Sequence, residues 1–142
     1  MKKQPLKTLA ILGLLLTLTA ISVSAQSERR INIPFNFIVR QKTLPHGEYT
    51  VEAKKNFDKV WLIQSTDNST CVLVITMPVQ ASKTPGETKL VFHKYGDQYF
   101  LSQIWTTGDN TGRELLMPRL EREFAKGAVK RQPITLTARS KN

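Results

Sequence analysis

From residue 31 onward the chain alternates. Ile31, Ile33, Phe35, Phe37 and Val39 occupy every second position, separated by Asn32, Pro34, Asn36 and Ile38. Successive side chains of a strand point to opposite faces, so this run predicts a β-strand with one apolar face. Pro34 has no amide hydrogen to share, which places the strand at a sheet edge or gives it an irregular start. Leu44-Pro45-His46-Gly47 predicts a tight turn, and Tyr49, Val51 and Ala53 resume the alternation as the second arm of a hairpin. Residues 54–59 read as a polar turn, 60–65 as a short strand and 66–70 as a loop. Residues 71–76 are β-branched and apolar on both faces, as in a strand at the middle of a packed sheet. The polar stretch 81–88, with Ser82, Pro85 and Gly86, predicts the longest mobile connection.

The clearest local pattern is a pair of β-rich runs, 89–95 and 98–105, around Gly96-Asp97. A two-residue loop beginning with glycine suits a primed hairpin turn, and the turn fixes a register. Tyr95 should face Gln98, His93 should face Phe100 and Val91 should face Ser102. On the other face Lys94 meets Tyr99, Phe92 meets Leu101 and Leu90 meets Gln103. Large apolar groups on both faces require cover on both sides. A helix supplies the second cover: Pro118 suits its first position, Glu121 and Glu123 its early turns, and Gly127 its end. Met117, Leu120 and Phe124 form its apolar stripe. Residues 107–112 read as a loop. Ile134, Leu136 and Ala138, alternating with Thr135 and Thr137, predict a last strand before a basic tail. The whole pattern predicts a mainly β chain, a single antiparallel β-sandwich or open barrel of about seven strands with one short C-terminal helix.

The first 25 residues follow another rule. Lys2, Lys3 and Lys7 precede an apolar, threonine-diluted run over 9–23, and Val23-Ser24-Ala25 supplies small residues before Gln26. Basic, apolar and small segments in that order predict a secretory signal peptide over 1–25, with a single β-rich domain over 26–142. The run is short of the roughly 20 apolar residues of a span, so no stable membrane insertion is expected once it is cut. The expected location is periplasmic or extracellular, with the oligomeric state left open. Cys71 is the one cysteine, so no internal disulfide forms; lying in an apolar run, it is expected to be a buried thiol. Processing removes three of the 21 basic residues and none of the 11 acids, leaving a net charge of +7. Residues 118–142 hold Arg119, Arg122, Lys126, Lys130, Arg131, Arg139 and Lys141 against Glu121 and Glu123 alone. A basic end of this kind attracts anionic surfaces. Export disfavours nucleic acid and points to an anionic envelope component or another protein.

Chemistry-bearing patterns are few. His46 lies in a turn and is expected to be exposed, and His93 reads as a strand residue packed beside Phe100. Neither shares a metal-ligand spacing with Cys71 or a carboxylate pair. Glu121 and Glu123, two apart on a helix, point to different sides, and Glu48 and Glu52 read as a solvated strand face. No nucleophile elbow or phosphate loop occurs, so no catalytic residue, metal site or cofactor is expected. The candidate contact residues are Trp61, Tyr95, Tyr99 and Trp105, a possible stacking platform, with Lys130 and Arg131 from the basic end. The expected function is therefore an exported, soluble, non-enzymatic β-domain that contacts envelope or extracellular macromolecules. The alternative is a small-ligand or carbohydrate carrier that uses exposed aromatic residues.

Three segments together carry a family resemblance: Lys42-Thr43-Leu44-Pro45-His46-Gly47-Glu48-Tyr49, the run from Phe92 to Ser102, and Gly112-Arg113-Glu114-Leu115. They resemble the small secreted β-rich proteins of acidobacterial type, over most of residues 31–125. The resemblance implies an exported bacterial β-domain and carries over no catalytic residue or cofactor. Met117-Pro118 departs from it, where a polar capping residue would be expected.

Overall fold

The computed structural model describes residues 30–138. The signal peptide expected over 1–25 and the last basic residues lie outside them. Strands make up 58% of the described residues and helix 6%. The elements run β1 (Arg30–Ile33), β2 (Phe37–Val39), β3 (Lys42–Leu44), β4 (Gly47–Lys54), β5 (Phe57–Ser65), β6 (Cys71–Gln80), β7 (Lys89–Tyr95), β8 (Gln98–Trp105), β9 (Thr111–Leu115), α1 (Arg119–Ala125) and β10 (Gln132–Thr137). Ten strands replace the seven or so expected. Two of the extra ones arise because the run at 31–39 breaks at Pro34. β1 pairs with β4 as the alternation predicts, Ile31 opposite Tyr49. The chain then leaves that ladder, and β2 turns back on β3 through Arg40-Gln41, with Arg40 at φ 61°. The other is β9, where glycine and asparagine had suggested only loop.

The sheet is open. Its main path runs β1-β4-β5-β6-β9-β8-β2-β3, and β7 carries β10 beside β8. Two strands change partner along their length. β6 pairs with β5 from Cys71 to Ile75 and with β9 from Thr76 to Gln80. Pro78 falls in the half with a single partner, where its missing N–H breaks no ladder. β8 pairs with β7 along one edge from Gln98 to Trp105. Its other edge is shared by β9, at Gln103–Ile104, and by β2, which runs parallel to it at Ile38 opposite Phe100.

The β7–β8 hairpin keeps its predicted register near the turn, where Gly96 takes φ 59°. A bulge between Val91 and Phe92 then shifts it, so Val91 meets Gln103 and Leu90 meets Ile104, one residue further than the turn alone implies. One side of the sheet holds the core, with Ile31, Ile33, Phe37, Tyr49, Ile63, Phe92 and Leu101 among its buried side chains. Phe37 meets Tyr49 and Phe92 edge to face at 5.1 and 5.6 Å, a favoured aromatic geometry.

Candidate functional site

The outer face of the sheet carries two regions of different character. Under α1, Ile38 of β2, Tyr95 of β7 and Phe100 of β8 form a second apolar cluster, closed by Phe124 from the helix. The helix does not dock by the stripe its spacing predicts. Leu120 is 42% exposed and Met117 is exposed too, whereas Glu121 is only 2% exposed. Pro118 is the residue before the helix rather than its first turn, and it offers no side-chain cap. Glu121 and Phe124, three apart, share the inward face because polar partners wait there. Glu121 Oε1 lies 2.6 Å from His93 Nδ1 and accepts a 3.1 Å bond from the Tyr95 hydroxyl. A carboxylate oxygen accepts, so Nδ1 is the donor of that bond. Burial raises the Tyr95 pKa above its ordinary value, as do the charge and hydrogen bond of Glu121, while Arg131 reaches the same hydroxyl and opposes them. A seven-residue helix is unstable alone in water, and these bonds together with the Phe124 ring hold it in place.

Burying Glu121 alters the surface above it. Arg119, Arg122, Lys126, Lys130 and Arg131 are all exposed, and Glu123, 3.9 Å from Lys126, is the one exposed acid of this segment among the described residues. The basic end is thus more positive at its surface than its composition suggests.

The second region is open. Along β6, Leu73, Ile75 and Met77 point outward and are 46%, 58% and 55% exposed. Cys71 is exposed as well, which corrects the expectation of a buried thiol and of a strand covered on both faces. Where β9 stops at Leu115, β6 and the β2–β3 turn stand apart, leaving an open groove of about 720 Å³. Val39, Arg40 and Lys42 line one side, Cys71 and Leu73 the other, and Leu116 and Pro118 the top. Two cations and no acid border it. Arg40 spans it, its Nη1 donating to the Leu73 carbonyl at 3.4 Å.

The candidate contact residues separate. Trp61 is buried in the core, and its indole N–H finds no hydrogen-bond partner among the described residues. Trp105 is buried against Gly112 and donates to Gln103 Oε1 at 3.0 Å, with Lys89 Nζ 5.9 Å from its ring. Tyr99, half-buried, stacks on Phe35 at 3.8 Å with Lys94 Nζ 5.5 Å above it. Tyr95 lies under the helix and meets Arg131 there; Lys130 is exposed. These aromatic rings form no common platform at the surface. His46 is exposed, its backbone N–H donating to Asn36 Oδ1 at 2.9 Å.

Sequence reasoning missed His93 with Glu121, and Arg40 with Lys42. The signal for the first pair was faint: His93 and Tyr95 share a strand face, and Glu121 lies three residues before Phe124. Among the described residues no cluster of His, Cys, Asp or Glu is placed to hold a metal ion, and no helix is long and apolar enough to cross a membrane. No family model, curated protein or solved structure matches this chain.

Proposed function

We propose that this protein is an exported, non-enzymatic β-domain that works by contact with an anionic component of the cell envelope. The observation that carries the reading is the burial of Glu121. It removes an acid from the α1 surface and leaves Arg119, Arg122, Lys126, Lys130 and Arg131 facing solvent. A cluster of like charge with Glu123 as its one exposed counter-charge among the described residues attracts polyanions over about a Debye length, roughly 8–10 Å at physiological salt. The leader-like segment and the resemblance to small secreted acidobacterial proteins support an exported location. We read the sheet as an open barrel rather than a sandwich, because β1 and β10 come alongside each other without forming a ladder.

The test uses purified residues 26–142 mixed with cell-wall, outer-membrane and acidic-glycan fractions. The expected result is sedimentation with at least one fraction at low salt that weakens as salt rises. Arg122→Glu with Lys126→Glu should weaken it further. Failure to sediment with any fraction at low salt overturns the reading.

A further inference from the structure

The groove between β6 and the β2–β3 turn has a property that the basic helix face lacks, an unpaired strand edge. β6 is bonded to β5 on one side from Cys71 to Ile75, but on the other its ladder to β9 begins only at Thr76. Along Cys71–Leu73 that second edge has no strand beside it among the described residues. The Arg40 bond shows the Leu73 carbonyl pointing into the groove, and in an extended strand the Leu73 N–H points the same way. Native sheets cover, charge or shorten such edges, because an exposed row of N–H and C=O groups is a template for another strand. Here the cover is one guanidinium at hydrogen-bonding limit, on a residue held at φ 61°, a region arginine rarely enters.

We propose that this groove receives an extended peptide segment of a partner protein, which adds as a short strand to the Cys71–Leu73 edge and places a carboxylate on Arg40 and Lys42. This deepens the envelope-contact reading and rests on it, since it names a protein as the contacted macromolecule. Three features select this occupant. The Leu73 carbonyl holds one long bond from Arg40, and the closer backbone hydrogen bonds of an added strand are something a peptide supplies and a lipid chain does not. The exposed side chains of Leu73 and Leu116 offer apolar contacts to alternate residues of an added strand. The β2–β3 turn stands opposite β6 across a groove of about 720 Å³, which a short extended segment can enter. The border of two cations without an acid sets the sign of the charge that the segment carries.

The test is selection of a phage-displayed library of random linear 12-residue peptides on immobilised residues 26–142. Enriched peptides are then synthesised and titrated against the intact protein. The expected sequences alternate apolar or β-branched residues with polar ones and carry Asp or Glu. Arg40→Glu and Leu73→Glu, both at exposed side chains, should each weaken them at least tenfold. A bound peptide should slow alkylation of Cys71 several-fold, and its counterpart with proline at the central position should not. The proposal is overturned if no peptide is enriched, if binding is indifferent to both substitutions, or if the proline counterpart protects Cys71 equally. Envelope sedimentation separates the two readings. If Leu73→Glu sediments as the parent does and no peptide binds, the groove assignment fails while the envelope reading stands. If the parent does not sediment, the envelope reading fails whatever the peptides do.

Discussion

Two stretches of this sheet carry apolar residues on both faces, and the protein treats them oppositely. The outer face of β7–β8 is roofed by α1, which adds Phe124 to Tyr95 and Phe100 and a buried carboxylate to His93. The outer face of β6 has the same kind of sequence, yet Leu73, Ile75 and Met77 remain in solvent. The difference lies in what the flanking chain supplies rather than in the strands. A seven-residue helix reaches one patch, and the groove left where β9 ends borders the other. A covered face is part of the fold's stability, whereas an uncovered one is free to serve contact.

Substitutions under the helix should therefore cost stability, and those on β6 should not. Glu121→Ala strips His93 and Tyr95 of their common acceptor in a buried setting, and should cost about 2–4 kcal/mol of unfolding free energy, measured by urea denaturation. Glu121→Gln, which keeps an acceptor oxygen, should recover part of that loss; an alanine variant as stable as the parent would break the contrast.

Gly112→Ala tests the same face at the other end of β8. Its new methyl would sit 2.6 Å from the Trp105 ring, whose indole is tied to Gln103. Overpacking of this kind should cost about 1–3 kcal/mol, read from thermal unfolding. The alkaline range gives a further measure. The pKa values of Tyr95 and Tyr49 are both raised, chiefly by burial, so each tyrosine keeps its proton more tightly folded than unfolded. Stability is then fully present below about pH 10 and falls as pH climbs through the raised values. Replacing Tyr95 by Phe should reduce that alkaline loss, measured as denaturation midpoint against pH. The smallest effect belongs to the open face. Ile75→Thr keeps β-branching at an exposed site and should change stability by less than about 0.5 kcal/mol.

Period-two alternation made the strands legible, and the Gly96-Asp97 turn gave the register of four residue pairs before the bulge displaced the rest. Short breaks were not legible. Pro34 reads equally as an edge residue or as the end of a strand, and only the seating of Phe37, Val39 and Leu44 in the core decides for a separate β2–β3 hairpin. The helix face was misjudged because periodicity counts apolar residues. Met117 and Leu120 fitted a stripe, but a carboxylate with two partners outweighed them, and those partners are distant in sequence. For the same reason the aromatic set gave no surface site: Trp61 and Trp105 had the composition of a binding platform and the burial of core residues. The groove leaves almost no trace in the chain, since it is a gap between elements.

The division of one β8 edge between β9 and β2 has a consequence for how the molecule assembles. Most ladders join neighbours in sequence and can close early. The parallel contact of Ile38 with Phe100 joins β2 to a strand that follows five others, with a single bridged pair to reward the closure. Contacts of that range are entropically slow to form, so the β2–β3 hairpin should settle after the meander of β4, β5 and β6 is in place. Until it does, the free edges of β6 and of the first half of β8 are both open to stray strands. Folding must therefore outpace aggregation most narrowly at the place where the finished protein keeps its groove.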